Sequence, residues 1–384
     1  MQLGPLCVDG WAKPKADSGG GNGRSFASMA AMQRFLAICL FLPWSLIPAI
    51  YAQADPVDDY LHTEMLARKI PGLALAVVQD GRVAKRADYG LANLELKVPV
   101  QSNTVFEIGS LTKQLTAAAI LLLIEEGLIE LDAPIHTYLE GTPETWHEIT
   151  VRHLLTHTSG LKSYTGMAGF ELRRHLTQEQ FIAATSACPL EFRPGDSWKY
   201  CNTGYNLLGF IIENVSRKGY WQFMAERIFG PLQMSSTTNR LPSQVILNRA
   251  AGYEQTNHVL INRDYDLTDV FSAGAAVSTV ADLVRWNLSL ENGTLLNAKS
   301  RREMWAPARL RDGTLTHYGF GWRLDVVEGH ADVGHGGSTS GFSASLQRFP
   351  EDKLAVIILT NTDEQIAPEL AKRVARFYFR ARRP

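Results

Sequence analysis

Apolar and polar positions divide this chain into short apolar runs near both ends and longer helical periods in the middle. Gly72 to Val78 reads Gly-Leu-Ala-Leu-Ala-Val-Val, Gln79-Asp80-Gly81-Arg82 turns, and Val83 to Tyr89 returns, which predicts a β-hairpin. After Gly109, the residues Leu115, Ala118, Ala119, Leu122 and Leu123 recur on one face of a long helix that Gly127 stops. From about 131 to 269 the pattern is one of helices and loops, punctuated by Pro143, Pro189, Pro194-Gly195 and Gly230-Pro231. Strand patterns resume at 318–325, 342–349 and 354–359, and residues 365–379 close the chain as an amphipathic helix. Strands at both ends around a helical middle predict an α+β fold: one antiparallel sheet flanked by helices, with an inserted, mostly α-helical domain. The α/β part then covers about 55–130 and 270–384, and the helical part about 131–269.

The first 54 residues follow a different pattern. Arg34 precedes an apolar stretch from Phe35 to Ile50 that Pro43 and Pro48 interrupt, and Ala52-Gln53-Ala54 has the small-x-small form of a signal-peptide cleavage site. That stretch is short for a membrane-spanning helix, so the expectation is export to a periplasmic or extracellular space without a stable membrane span in the mature chain. The glycine-rich Ser18 to Gly23 stretch predicts that translation starts at Met29 or Met32. Past residue 54 only Cys188 and Cys201 remain; an oxidising compartment permits a disulfide between them, and two free thiols fit equally. With 45% hydrophobic residues the chain can bury a large core, and a formal net charge of -1 gives no general attraction to nucleic acid.

Three short clusters carry candidate chemistry. Ser110-Leu111-Thr112-Lys113 stands where the irregular segment 106–109 enters the long helix. At i and i+3 the two side chains share a face, where a partly desolvated lysine can take the serine proton. Tyr200-Cys201-Asn202 follows the turn Arg193-Pro194-Gly195-Asp196; a phenol whose pKa neighbouring ammonium groups lower can act as a general base, and the amide can orient a carbonyl. His335-Gly336-Gly337-Ser338 is read as lying just ahead of a strand, where glycines let a substrate backbone approach and an amide N–H can hold an oxyanion. Each cluster alone also fits a bland reading: a capping serine, a buried tyrosine, a glycine-rich turn.

Taken in order, Ser110-x-x-Lys113, Tyr200-x-Asn202 and His335-x-Gly337 resemble the three motifs of class C β-lactamases and their penicillin-binding, D,D-carboxypeptidase, D-aminopeptidase and esterase relatives. The segments 106–113, 154–161, 278–283 and 318–322 are similar to family segments as well, so the resemblance spans about residues 56 to 380. It implies a serine hydrolase without metal or organic cofactor, acting on a peptide or small molecule. Ser110 would form the acyl-enzyme while Lys113 and Tyr200 move its proton. Asn202 would hold Lys113 and the substrate amide, and the Ser110 and Ser338 amides would form the oxyanion hole. His335 and Gly337 would shape the substrate edge. Histidine in place of the usual lysine of the third motif is similar to the D-amino-acid peptidase and esterase branches. The implied substrates are D-peptides, then short esters, then β-lactams, a true β-lactamase or a non-catalytic penicillin-binding relative being the alternatives. A zinc site on His153 and His157 lacks a third ligand in the sequence, and no Gly-x-Ser-x-Gly elbow is present.

Overall fold

The computed structural model describes residues 55–171, 175–257, 259–263 and 265–379. The expected leader and start sites lie outside the described residues.

Seven strands form one antiparallel sheet: β1 (Gly72–Gln79), β2 (Arg82–Asn93), β3 (Val98–Pro99), β4 (Arg323–Val327), β5 (His330–Thr339), β6 (Phe342–Phe349) and β7 (Leu354–Thr360). Their order is β3-β2-β1-β7-β6-β5-β4, so β1 from the first half lies beside β7 from the last, with Leu73 opposite Thr360. β1 is a continuous apolar run because both of its faces are covered. Leu73, Leu75 and Val77 belong to a core with Val57 and Leu61 of α1 (Pro56–Arg68) and Leu370 and Val374 of α5 (Ala367–Arg376). Ala74, Ala76 and Val78 join the larger core with Leu115 of α2 (Thr112–Glu125), Leu207 of α3 (Asn202–Ser216) and Trp286 of α4 (Val280–Asn292). Asp55 caps α1 by accepting from the Val57 N–H at 2.9 Å, and Pro56 fills the first turn, where its missing N–H costs nothing.

The hairpin, strands β6 and β7 and the closing helix stand where the apolar pattern puts them. Three features differ. Residues 318–322 are not strand; the strand begins only at Arg323, because Gly321 (φ 79°) turns the chain and a Cβ there would strike the Lys113 carbonyl at 2.8 Å. The third motif lies inside β5, not ahead of a strand: pairing with β6 on one side and β4 on the other holds a glycine-rich segment extended. Helix α2 is buried all round from Thr112 to Leu123, not on one face, because it sits in the core shared by the sheet and the helical region. Cys188 and Cys201 are both free thiols. Among the described residues no helix is long and apolar enough to cross a membrane.

Candidate active site

Gly109 adopts φ 49°, and a single 3-10 turn (Gly109–Leu111) leads into α2, which places Ser110 at the helix entry. The turn is pinned from both sides. Thr112 Oγ1 donates to the Gly109 carbonyl at 2.7 Å and accepts from the Ala276 N–H at 3.2 Å. Strand β5 presses against it so closely that a Cβ on Gly109 would meet the Ser338 amide nitrogen at 2.6 Å, and one on Gly337 would meet the Ile108 carbonyl oxygen at 2.0 Å. Thr339 adds a side-chain bond to Glu107 at 2.7 Å. Glycine is therefore required on both sides of this contact. Gly337→Ala must force the strand away from the Ser110 turn. The expected outcome is a loss of about 1–3 kcal/mol of stability from overpacking, with acylation slowed by about 10²-fold as the amide donors move. Thermal unfolding and burst kinetics of the variant check both.

Lys113 follows one turn later and is fully buried. Its Nζ lies 3.1 Å from Ser110 Oγ, 2.8 Å from Asn202 Oδ1 and 2.7 Å from the Ala273 carbonyl oxygen. Burial holds the amine well below its ordinary pKa, and the nearby Arg323 charge pushes the same way. A neutral amine has two N–H donors and one lone pair. Asn202 and Ala273 are pure acceptors and take the two donors, leaving the lone pair to accept from the Ser110 hydroxyl.

The second cluster rests on the segment 154–161. His157 leaves the helix Val151–Leu155 in a left-handed conformation (φ 61°), and its Nδ1 accepts from the Cys201 N–H at 3.1 Å. Its carbonyl takes the Lys199 N–H at 3.0 Å, and Ser163 Oγ accepts from the Asn202 N–H at 3.1 Å. His157 thus supports Tyr200-Cys201-Asn202 from below, its ring 4.3 Å from that of Tyr200. Burial holds its pKa well below the ordinary histidine value. His153 accepts from the Thr150 N–H in a capping box. Both histidines therefore serve the backbone.

Tyr200 sits over Lys113, whose Nζ is 4.8 Å from the ring centroid. Its pKa is pushed up by burial, with Ser110 and Arg323 opposing, so the phenol stays protonated at neutral pH. This is the reverse of the lowering expected from ammonium neighbours: desolvation prevails over the opposing contributions. The buried hydroxyl makes no hydrogen bond of good geometry within the described protein. His335 is also neutral, driven down to about 3 chiefly by burial. Its Nδ1 donates to the Gly336 carbonyl at 2.5 Å, which leaves Nε2 to accept from the Tyr318 hydroxyl at 2.8 Å.

All seven expected residues gather here, Ser110, Tyr200, His335, Gly337 and Ser338 lining one cavity of about 470 Å³ above Lys113 and Asn202. The structure adds participants that the sequence reading passed over. The Arg323 guanidinium stands 5.7 Å from the Tyr200 ring centroid. Asp332, buried and raised to about 6 by desolvation, pairs with Lys372 at 3.2 Å on the same cavity. Arg323 directly follows the segment 318–322 and could have been sought there; the Ala273 carbonyl has no side-chain signature at all.

Residues 57–379 match the beta-lactamase family model. The chain belongs to that family. Among curated relatives of this β-lactamase-family protein, Penicillin-binding protein 4* of Bacillus subtilis is 31% identical over 323 residues, covering 78% of this chain and 70% of the relative. Protein flp of Staphylococcus aureus is 27% identical, covering 82% of this chain and 64% of its own length, so the chain spans about two thirds of these relatives. Among solved structures, the octameric penicillin-binding protein homologue from Pyrococcus abyssi superposes with TM-score 0.73 at 27% identity, over 84% of this chain and 76% of that one. The D-amino acid amidase from Ochrobactrum anthropi SV3 gives TM-score 0.73 at 26% identity, over 84% and 98%. The fold is that of β-lactamases and transpeptidases, and the protein is a serine hydrolase of this family.

Proposed function

We propose that this protein is an exported hydrolase that forms an acyl-enzyme on Ser110 and cleaves amides or esters, with D-amino-acid peptides and amides and short esters as substrates. The observation that carries the reading is the buried Lys113 amine, held well below its ordinary pKa, bonded to Asn202 and Ala273 and facing Ser110 Oγ with its third contact. Ser110 Oγ attacks the substrate carbonyl carbon as its proton passes to Lys113 Nζ. The Ser110 and Ser338 amide N–H groups, held together by the Gly109–Gly337 contact, receive the oxyanion. The protonated Tyr200 phenol then gives its proton to the leaving amine or alkoxide as the bond to carbon breaks, and Lys113 returns a proton to Tyr200. Water attacks the acyl group by the same route in reverse roles.

Substrate class follows from the third motif and the neighbours. A neutral His335 bonded to Tyr318 presents no ammonium from the strand, so a substrate carboxylate would meet Arg323 beside Tyr200 instead. Solved neighbours include a D-amino acid amidase and a D-stereospecific amidohydrolase, which supports D-configured amides. The leader pattern supports export. The test is hydrolysis of D- and L-alanine p-nitroanilide with p-nitrophenyl acetate as reference. Preference for the D-amide by about tenfold or more in kcat/KM is expected. Preference for the L-amide would reject the substrate class, and inertness toward all three would reject the hydrolase reading.

A further inference from the structure

Helix α3 acts on Lys113 twice. Asn202 in its first turn touches the amine directly, and Asn206, four residues on and so on the same face, reaches it through the backbone of the segment 268–274. Asn206 is 1% exposed and stands among the buried Tyr205, Leu207 and Leu208, where an amide is stable only with its polar atoms bonded. Its Oδ1 accepts from the Ala273 N–H at 3.2 Å, and its Nδ2 donates to the Asp269 carbonyl at 2.9 Å.

Those two backbone groups are an i, i+4 pair, which a regular helix would join directly. Phe271 between them prevents it: at φ 44° and ψ -130° it holds a left-handed conformation that a residue with a Cβ rarely adopts. A 3-10 turn (Thr268–Val270) ends there and a short helix (Phe271–Gly274) begins, and the Asn206 amide spans the break. The far end of this bridge is anchored, since the Asp269 carboxylate accepts from the His175 and Leu176 N–H groups at 3.0 and 2.9 Å. The peptide joining Ser272 to Ala273 is held at both ends. Thr116 on α2 donates to the Ser272 carbonyl at 2.7 Å, and Asn206 takes the N–H. The next carbonyl along is that of Ala273, which accepts from Lys113 Nζ at 2.7 Å.

On the reading that Lys113 takes the Ser110 proton, we propose that Asn206 is a positioning residue for Lys113, its side-chain amide holding the Ala273 carbonyl on the amine by bridging the break at Phe271. Without the bridge, the Ala273 N–H and the Asp269 carbonyl join each other as in a regular helix. Phe271 then leaves its strained conformation, and the Ala273 carbonyl turns off Lys113.

The test is acylation of the mature protein by p-nitrophenyl acetate, followed as the burst across pH in the wild type, Asn206→Leu and Lys113→Met. Leucine keeps the size of the side chain and suits a helix, but bonds neither backbone group. Asn206→Leu is expected to acylate about 10- to 10²-fold more slowly on the alkaline plateau, with KM unchanged. Its acid limb is expected to move to lower pH, because a carbonyl acceptor stabilises the charged amine more than the neutral one. A site merely loosened by the substitution would admit water and move the limb up toward the ordinary lysine value, which would overturn the proposal. So would a folded Asn206→Leu with the wild-type rate and limb. Asn206→Ala, which adds no branched bulk, is read in the same way if Asn206→Leu does not fold. An acid limb that persists in Lys113→Met would instead reject Lys113 as the base, and the proposal with it, whatever the Asn206 variants do.

Discussion

Lys113→Met is expected to slow acylation of Ser110 by about 10³- to 10⁴-fold, the range that removal of a positioned general base produces. Methionine keeps the length and apolar body of the side chain, so the buried position stays filled while the lone pair facing Ser110 is lost. The pH dependence separates this from damage to the fold. In the wild type the active form is the neutral amine, so acylation falls on the acid side as Lys113 takes up a proton, at a pH well below the ordinary lysine value. Lys113→Met loses that limb along with the rate.

Stability carries the same signature with a defined sign. Between the lowered pKa in the fold and the ordinary value in the unfolded chain, the unfolded state binds more protons at this residue. Stability contributed by Lys113 therefore rises with pH through that window. The wild type should gain more stability than Lys113→Met between neutral pH and pH 10, read as the difference in melting temperature. A parallel pH response in the two proteins would mean that the lysine is charged in the fold, and the base would have to be sought elsewhere.

Ser110→Ala carries the other large effect. Loss of the nucleophile of a serine hydrolase costs about 10⁶ in kcat, and no second hydroxyl is placed on Lys113 Nζ among the described residues. The small side chain is hydrogen-bonded to Lys113 at the rim of the cavity, so the variant should fold as the wild type does and bind substrate without turnover. Retained folding with turnover reduced to background, measured on p-nitrophenyl acetate, is the expected pairing.

Much of this was legible in the sequence where local pattern and tertiary demand agree. The Gly72–Val78 run announces a strand covered on both faces, and the spacing of Ser110 and Lys113 puts them on one helix face whatever surrounds them. Asn202 could be placed because it opens α3 two residues after Tyr200. What escaped depends on chain segments far apart in sequence. The strand character of His335–Ser338 is imposed by its neighbours β6 and β4, against the turn preference of its glycines. The direction of the Tyr200 shift depends on how deeply its hydroxyl is buried, which spacing does not reveal. Arg323 and Lys372 carry no motif signal of their own, and only β4 and α5 bring them to the cavity. The roles of His153 and His157 likewise become visible only when each ring is seen bonded to a backbone amide.

The central claim is that a covalent acyl intermediate forms on Ser110. Intact mass of the mature wild type and of Ser110→Ala, each exposed to a penicillin and to a p-nitrophenyl ester and quenched early, tests it most directly. A single acyl adduct in the wild type, mapped to the peptide carrying Ser110 and absent from the variant, is the predicted result. An adduct that persists in Ser110→Ala would contradict the account.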